Sequence, residues 1–370
     1  MDTQAIYQLA LTRLPGIGDG CTKRLIHHFG DARAVFEADA ATLTPTGINQ
    51  EQTRAILQFS AWDELRKELM TLTRQGVRML FFTDPGYPRR LKDAPRMPPL
   101  LFYQGAADLD AERVIAVVGT RTPTDYGRQM TQQLIRQLAQ PGLLIISGLA
   151  HGIDAVAHAA ALANNIPTVG ILGTGLGQCY PRENTRLSGS IRQQGGLLSS
   201  FPYESGPDGY HFPIRNRLVA ALCDALIVVE SGRTGGSLLT AGDAEKYQKK
   251  IFAVPGRITD RTSAGCLRLI RQGRAECLVS GEQLQLSMRW NWPAGHTGAQ
   301  ASLPFLSDSD SRPEPERRLV KLLEEKESLS VDELATFSRL DTSSIAITLL
   351  NLELQGLIHP LPGKRYRLNR

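Results

Sequence analysis

Several chemistries are excluded by what this sequence of 370 residues does not contain. Its five cysteines, Cys21, Cys179, Cys223, Cys266 and Cys277, are odd in number, scattered and never spaced as CxxC. That pattern makes neither a disulfide framework nor a zinc site, and it suits a reducing compartment. The seven histidines form no ligand pattern; His27 and His28 are adjacent rather than a helical turn apart. No apolar run approaches the roughly 20 residues of a membrane span. The first residues lack the charged-then-apolar layout of a signal peptide. The expectation is a cytoplasmic protein with no membrane partner, no metal and no cofactor. A P-loop ending in Gly-Lys-Ser or Gly-Lys-Thr is missing, and so is a Gly-x-Ser-x-Gly elbow. ATP hydrolysis and acyl transfer therefore lack their usual seats.

Charge is present and uneven. The formal net charge is +5, and residues 111–290 carry 19 Lys/Arg against 13 Asp/Glu. Residues 1–70 carry 7 against 9, and residues 311–370 carry 10 against 9. The middle of the chain owns the positive field, so an anionic partner should meet it there.

Four segments follow from pattern. Residues 1–75 read as short helices, with Pro15-Gly16-Ile17-Gly18 between two of them in the manner of a helix-hairpin-helix. Such a hairpin can hold a nucleic-acid phosphate, but the local negative charge favours a structural or docking role. Residues 76–290 contain a Pro-rich bridge over 76–108, whose strand-like ends add to a sheet. Apolar runs then recur at 114–119, 143–148, 168–173, 197–201, 225–230 and 251–256. Runs this short and continuous suit strands buried on both faces. Helical stretches between them, such as Tyr126–Gln140 and Ile153–Asn164, predict an α/β, doubly wound, mostly parallel sheet of extended Rossmann-like type. Residues 291–313 read as a linker. Residues 314–370 read as helix, helix, helix and a basic wing with Lys364, Arg365, Arg367 and Arg370 near its tip. Such a winged helix docks either DNA or protein.

Ligands of open parallel sheets bind beyond the carboxyl ends of the strands. The segments leaving those ends are rich in Gly, Ser, Thr and Arg. They supply Gly119, Thr120 and Arg121, then Ser147, Gly148 and His151, then Gly173, Gly175, Arg182 and Asn184, and finally Ser237. Arg215 and Arg217 open the helix before the fifth of these strands. Pro123 and Thr124 start a helix just after the first turn, which predicts a phosphate seat at that helix N-terminus. The first turn is not GxGxxG, and no acid ends the second strand to take a ribose hydroxyl, so a dinucleotide is not expected. His151 reads as a loop donor and Asp154 as a first-turn acid favoured by the helix dipole. Tyr180, Phe201, Tyr203, Tyr210 and Phe212 lie in or near these loops. Arginines that track a backbone beside rings that stack on bases are what a single strand requires.

The motifs VVGTR, SGLAHGIDAVAH, GTGLGQCYPREN, FPIRNRLVAAL, VVESGRTGGSLLTAGDAE and IFAVPG occur in that order. Together they resemble the DNA-processing protein A family (DprA, also called Smf). The resemblance is detailed over about residues 85–280 and looser in the flanking modules. It implies a non-catalytic single-stranded DNA binder of natural transformation that protects incoming DNA. It also implies a homodimer through the sheet domain and a RecA recombinase partner that the protein helps to load. The family's nucleic-acid arginine falls on Arg121, and its basic position after Tyr-Pro falls on Arg182. Leu267 stands where the family usually has Asn. A self-association patch is expected around Gly265–Val279, with Leu267 and Ile270 on one helical stripe and Arg268, Arg271 and Arg274 on another. The alternative is a nucleotide-hydrolysing Rossmann enzyme of the lysine-decarboxylase-like group. SGRTGGSLLTAGDAE echoes that group's motif only in part, with its Pro missing and Asp243 and Glu245 beyond the expected place.

Overall fold

The computed structural model describes residues 3–290, 314–326, 328–338, 340–354, 357–361 and 365–368. The expected linker over 291–313, and Lys364 and Arg370 of the wing, lie outside the described residues. The chain divides into two compact units, Met1–Trp292 and Pro293–Arg370.

The first unit begins with helices α1 (Thr3–Leu11), α2 (Asp19–Phe29), α3 (Ala32–Glu37), α4 (Ala40–Leu43), α5 (Gln50–Leu57) and α6 (Trp62–Arg74). Asp31, Asp39 and Asn49 cap α3, α4 and α5 by accepting backbone N–H bonds, and Asn49 with Gln52 completes a capping box. The turn between α1 and α2 needs Gly16, whose φ is +75°. Gln52 Nε2 donates to the Gly16 carbonyl at 2.8 Å, tying that turn to α5. These helices do not stand apart from the sheet. Leu9, Leu25, Val35 and Leu72 share one core with Phe81 and Phe102.

The sheet has strands β1 (Arg78–Phe81), β2 (Leu100–Gly105), β3 (Arg113–Gly119), β4 (Leu143–Ser147), β5 (Thr168–Ile171), β6 (Gly196–Ser199), β7 (Ala225–Val229), β8 (Lys250–Ala253) and β9 (Glu276–Cys277). Helix α7 (Arg89–Lys92) lies in the bridge between β1 and β2. Helices α8 (Asp125–Gln137), α9 (Ile153–Ala163), α10 (Thr185–Gln194), α11 (His211–Leu222), α12 (Gly236–Lys246), α13 (Ala264–Arg271) and α14 (Gly281–Met288) follow. The strand order is β1-β2-β6-β5-β4-β3-β7-β8-β9. The run from β6 to β9 is parallel, while β1 and β2 add antiparallel beside β6. The Pro-rich bridge thus extends the sheet as its strand-like ends predict.

Side chains alternate across a strand, and both faces of β3 are covered. Val114, Ala116 and Val118 pack with Leu218, Leu222, Ala241 and Ala244 of α11 and α12. Ile115 and Val117 pack with Leu134, Ile135 and Ala157 of α8 and α9. Each fully buried Val or Ile contributes about 1.5–3 kcal/mol, which explains why these strands read as unbroken apolar runs.

The segment expected to present two stripes behaves otherwise. Helix α13 stops at Arg271, and Gly273 follows with φ +66°. Arg274 therefore leaves the helix and pairs with Glu245 at 2.8 Å. Ile270 packs against the core of the sheet. The three arginines do not form a single helical stripe.

The second unit holds helices α15 (Glu314–Glu325), α16 (Val331–Ser338) and α17 (Thr342–Leu354) with strands β10 (Leu329–Ser330), β11 (Ile358–Leu361) and β12 (Arg365–Leu368). The strands pair antiparallel in the order β10-β12-β11. Leu319, Leu323, Leu334, Ile345 and Leu352 fill its core. This is the winged helix predicted from the sequence. Its last helix, TSSIAITLLNLEL, carries no Lys or Arg.

Candidate nucleic-acid interface

Strand β3 has β4 on one side and β7 on the other, and the chain winds outward from it in both directions. Loops leaving β3 and β7 part toward opposite faces, which opens a crevice at the carboxyl edge. The crevice measures about 470 Å³ and is lined by Gly119–Thr122, Gly148, Ala150, Asp154, Ser231–Gly232, Gly235–Ser237 and, from α11, Phe212, Arg215 and Asn216.

Gly119 is fixed by close approach. A Cβ there would fall 2.0 Å from the Val229 carbonyl oxygen and 2.6 Å from Ile153 Cγ1. The next turn is held by its neighbours: Thr120 N–H donates to the Glu230 carbonyl at 2.7 Å, and Ile153 N–H donates to the Thr120 carbonyl at 3.1 Å.

The phosphate seat expected at the N-terminus of α8 is occupied by the protein itself. Glu230 is only 3% exposed, and its carboxylate accepts the Thr124 N–H at 2.9 Å together with the Thr124 hydroxyl. Gly127 leaves room for it, since a Cβ there would lie 2.2 Å from Glu230 Oε2. A carboxylate at a helix start satisfies the donors and the dipole that a phosphate would otherwise meet. The helix start that faces the crevice is that of α12. Its N-cap is Gly235, no side chain caps it, and the space around Gly236 is open. Ser237 donates instead to the Ser231 hydroxyl at 2.9 Å.

Beneath the rim lies a buried ion pair. Arg215 and Asp154 are 5% and 7% exposed, with Nη1 and Oδ2 3.7 Å apart. Asp154 also accepts the N–H groups of Gly148 at 3.1 Å and Ala150 at 3.3 Å. It is thus the anchor of the β4 loop rather than merely a dipole-favoured first-turn acid. Burial pushes the Asp154 carboxyl above its ordinary range, and Arg215 pulls it back. Burial likewise lowers Arg215; Asp154 opposes this and Arg121 adds to it. Arg215 Nε is buried without a hydrogen-bond partner among the described residues. Gly148 makes space for this guanidinium, since a Cβ there would overlap Arg215 Nη1 at 1.3 Å. Arg121 is exposed at the rim above it.

The other expected residues divide. Ser147 is buried and donates to the Val117 carbonyl at 2.6 Å. Asn184 is buried and its amide holds the carbonyls of Leu149 and Ala150. Gly173 and Gly175 are buried under Phe212 and the Pro202–Tyr203 backbone. These four shape the loops and offer no free polar side chain. His151 and Arg182 are exposed, and His151 Nε2 lies 3.6 Å from Glu183. Arg217 does not line the crevice; two residues along a helix from Arg215 it points about 200° away, and its charge acts on Asp19 and Tyr247. Among the rings, Tyr180 is 45% exposed and its centroid lies 5.9 Å from that of Phe212. Phe201 instead stacks on His211 at 3.8 Å. Asp243 and Glu245, the acids weighed for nucleotide hydrolysis, pair with Lys246 and Arg274 and do not line the crevice.

The sequence reading missed Glu230 and the Arg215–Asp154 pair. Glu230 had a signal, since an acid ending a buried apolar strand must find donors. The pair had none, because its members are 61 residues apart and meet only through the winding of the sheet.

Residues 78–289 match the model of the DNA recombination-mediator protein A family, and residues 304–364 match the DprA winged helix domain. Protein Smf of Synechocystis is 31% identical over 99% of each chain. The X-ray structure of DNA processing protein A from Streptococcus pneumoniae superposes with a TM-score of 0.65 at 32% identity, covering 77% of this chain and 98% of that one. A DNA processing protein A structure from Helicobacter pylori, described for its single-stranded DNA binding mode, gives 0.53 at 31% identity, covering 58% and 95%.

Proposed function

Because this chain belongs to the DNA recombination-mediator protein A family, we propose that it binds single-stranded DNA across the carboxyl edge of its sheet. The observation that carries this reading is the crevice at the β3–β7 switch, where exposed Arg121, buried Arg215 and the uncapped start of α12 converge. Arg121 brings a positive charge and α12 the positive end of its dipole, with Arg215 balanced by Asp154 beneath them, and no lysine P-loop is present to select a nucleoside triphosphate. Arg121 leads the contact, Arg182 and His151 extend it along the rim, and Tyr180 offers an exposed ring for stacking at about 1–3 kcal/mol per base. The Helicobacter pylori structure supports the same ligand class. The protein acts as a mediator that protects the strand and loads a RecA-type recombinase, as a dimer and without catalysis of its own. This reading is favoured over nucleotide hydrolysis, because Asp243 and Glu245 are engaged elsewhere.

Fluorescence anisotropy with labelled single strands and duplexes tests it. The single strand should bind more tightly than the duplex, and added salt should weaken it. Arg121→Ala should weaken all sequences alike and flatten the salt slope by about 0.7, the value for one phosphate contact on a single strand. An unchanged affinity and slope would refute the site. Strand exchange by the recombinase on single strands coated with binding protein, with and without this chain, tests the loading role.

A further inference from the structure

Glu230 follows β7 and is buried, yet no ion pair is made with it among the described residues. A carboxylate removed from water requires donors in place of a counter-ion. The hydrogen bonds that Glu230 accepts come from one segment, the turn that carries Arg121. Its backbone oxygen takes the Thr120 N–H at 2.7 Å. Its carboxylate takes the Thr124 N–H at 2.9 Å and the Thr124 hydroxyl. One residue thereby fastens both ends of Thr120–Thr124, and the exposed Arg121 lies between those ends. Glu230 itself sits at φ +49°, in the left-handed region that a non-glycine residue adopts only where its surroundings impose it. Gly127 fits against its carboxylate, where any side chain would collide.

We infer that Glu230 is a positioning residue of the DNA site: it fills the N-terminus of α8 with the protein's own carboxylate, fixes the Thr120–Thr124 turn and so sets Arg121 over the crevice. This inference rests on the single-strand reading above. It leaves the incoming phosphate to Arg121 on the same turn and to the start of α12 one strand over.

Charge and position act here with opposite sign. Removing a carboxylate beside a DNA site strengthens binding if only charge matters. It weakens binding if the carboxylate holds Arg121 in place. The test uses the full chain carrying Glu230→Gln, with Thr124→Val as a second variant that removes the hydroxyl half of the link and leaves the carboxylate and the Thr124 N–H bond in place. Affinity for labelled oligothymidylate is measured at several salt concentrations. Both variants should bind about tenfold more weakly, the loss expected for one charge-assisted contact. Both should flatten the salt slope by about 0.7, and neither should weaken an Arg121→Ala protein further. Tighter or unchanged binding overturns the inference, and so does an equal loss in the Arg121→Ala background. If Glu230→Gln does not fold, Thr124→Val decides by the same comparison. If the parent chain fails to hold the oligonucleotide, the single-strand reading fails. Tryptic cleavage after Arg121, which needs no DNA, then decides the positioning alone. Faster cleavage in the variants supports it, and equal rates overturn it.

Discussion

Replacing Arg215 by Met removes a buried charge and leaves Asp154 buried without its counter-ion. Breaking a buried pair from one side costs about 3–5 kcal/mol. Here the pair is 3.7 Å apart, beyond hydrogen-bond reach, and Asp154 keeps the N–H groups of Gly148 and Ala150. The loss should therefore sit at the low end, about 3 kcal/mol. The pH dependence follows from Asp154. Burial already raises its carboxyl, and Arg215 is the largest opposing influence. Without Arg215 the folded carboxyl rises further above its unfolded value of 3.8. The folded state then binds that proton more tightly than the unfolded state. The deficit should be full above the raised value and shrink as pH falls toward the ordinary one. Urea unfolding followed by tryptophan fluorescence at about pH 7 and about pH 5 measures it. The described tryptophans, Trp62 and Trp290, lie in the first unit, and their signal follows that unit. Arg215→Met/Asp154→Asn should recover most of the loss, because the Asn carbonyl still accepts both N–H groups. A deficit equal at both pH values, or a double variant no more stable than the single one, would refute the reasoning.

Gly119→Ala drives a methyl into the Val229 carbonyl at 2.0 Å. Both residues lie in paired strands that cannot part. A stability loss of about 1–3 kcal/mol is expected, together with weaker single-strand binding, and a variant as stable as its parent would contradict the packing argument. His158 is buried against the Thr168 hydroxyl at 2.7 Å, and burial pushes its ring down to about 3 from an ordinary 6.5. The unfolded chain takes up that proton first, so stability should fall as pH drops below about 6.5. His158→Leu should flatten the acid limb in urea titrations, and parallel curves would exclude this source. Gln52→Ala removes both half of the α5 capping box and the bond to the Gly16 carbonyl. A loss of about 1–2 kcal/mol is expected with faster amide exchange at Ile17, which accelerated unfolding alone would not localise.

The four Gly-rich loops on one sheet edge are not equivalent. Asn184, Gly173 and Gly175 support loop conformations from inside, while Arg121, Arg182 and His151 face solvent. A residue type favoured at a ligand loop is equally favoured wherever backbone must pack on backbone. Composition of a loop therefore does not apportion roles among its residues.

The parallel sheet was determined by the sequence alone, because strands buried on both faces demand unbroken apolar runs, and 114–119, 143–148 and 225–230 show them without ambiguity. The addition of the Pro-rich bridge to the sheet and the winged helix were legible for the same kind of reason, local pattern enforcing local structure, while the antiparallel direction of the bridge strands was set by the tertiary fold. The N-terminus of α8 was not. Its Thr124 looks open in sequence, and only the winding of β7 alongside β3 brings Glu230, 106 residues away, onto it. Arg215 and Arg217 look interchangeable in FPIRNR, but helical rotation buries one beside Asp154 and turns the other toward Asp19. Periodicity along the chain encodes which face is buried. Which charged group meets which depends on strand order and helix rotation, and those exist only once the sheet has closed.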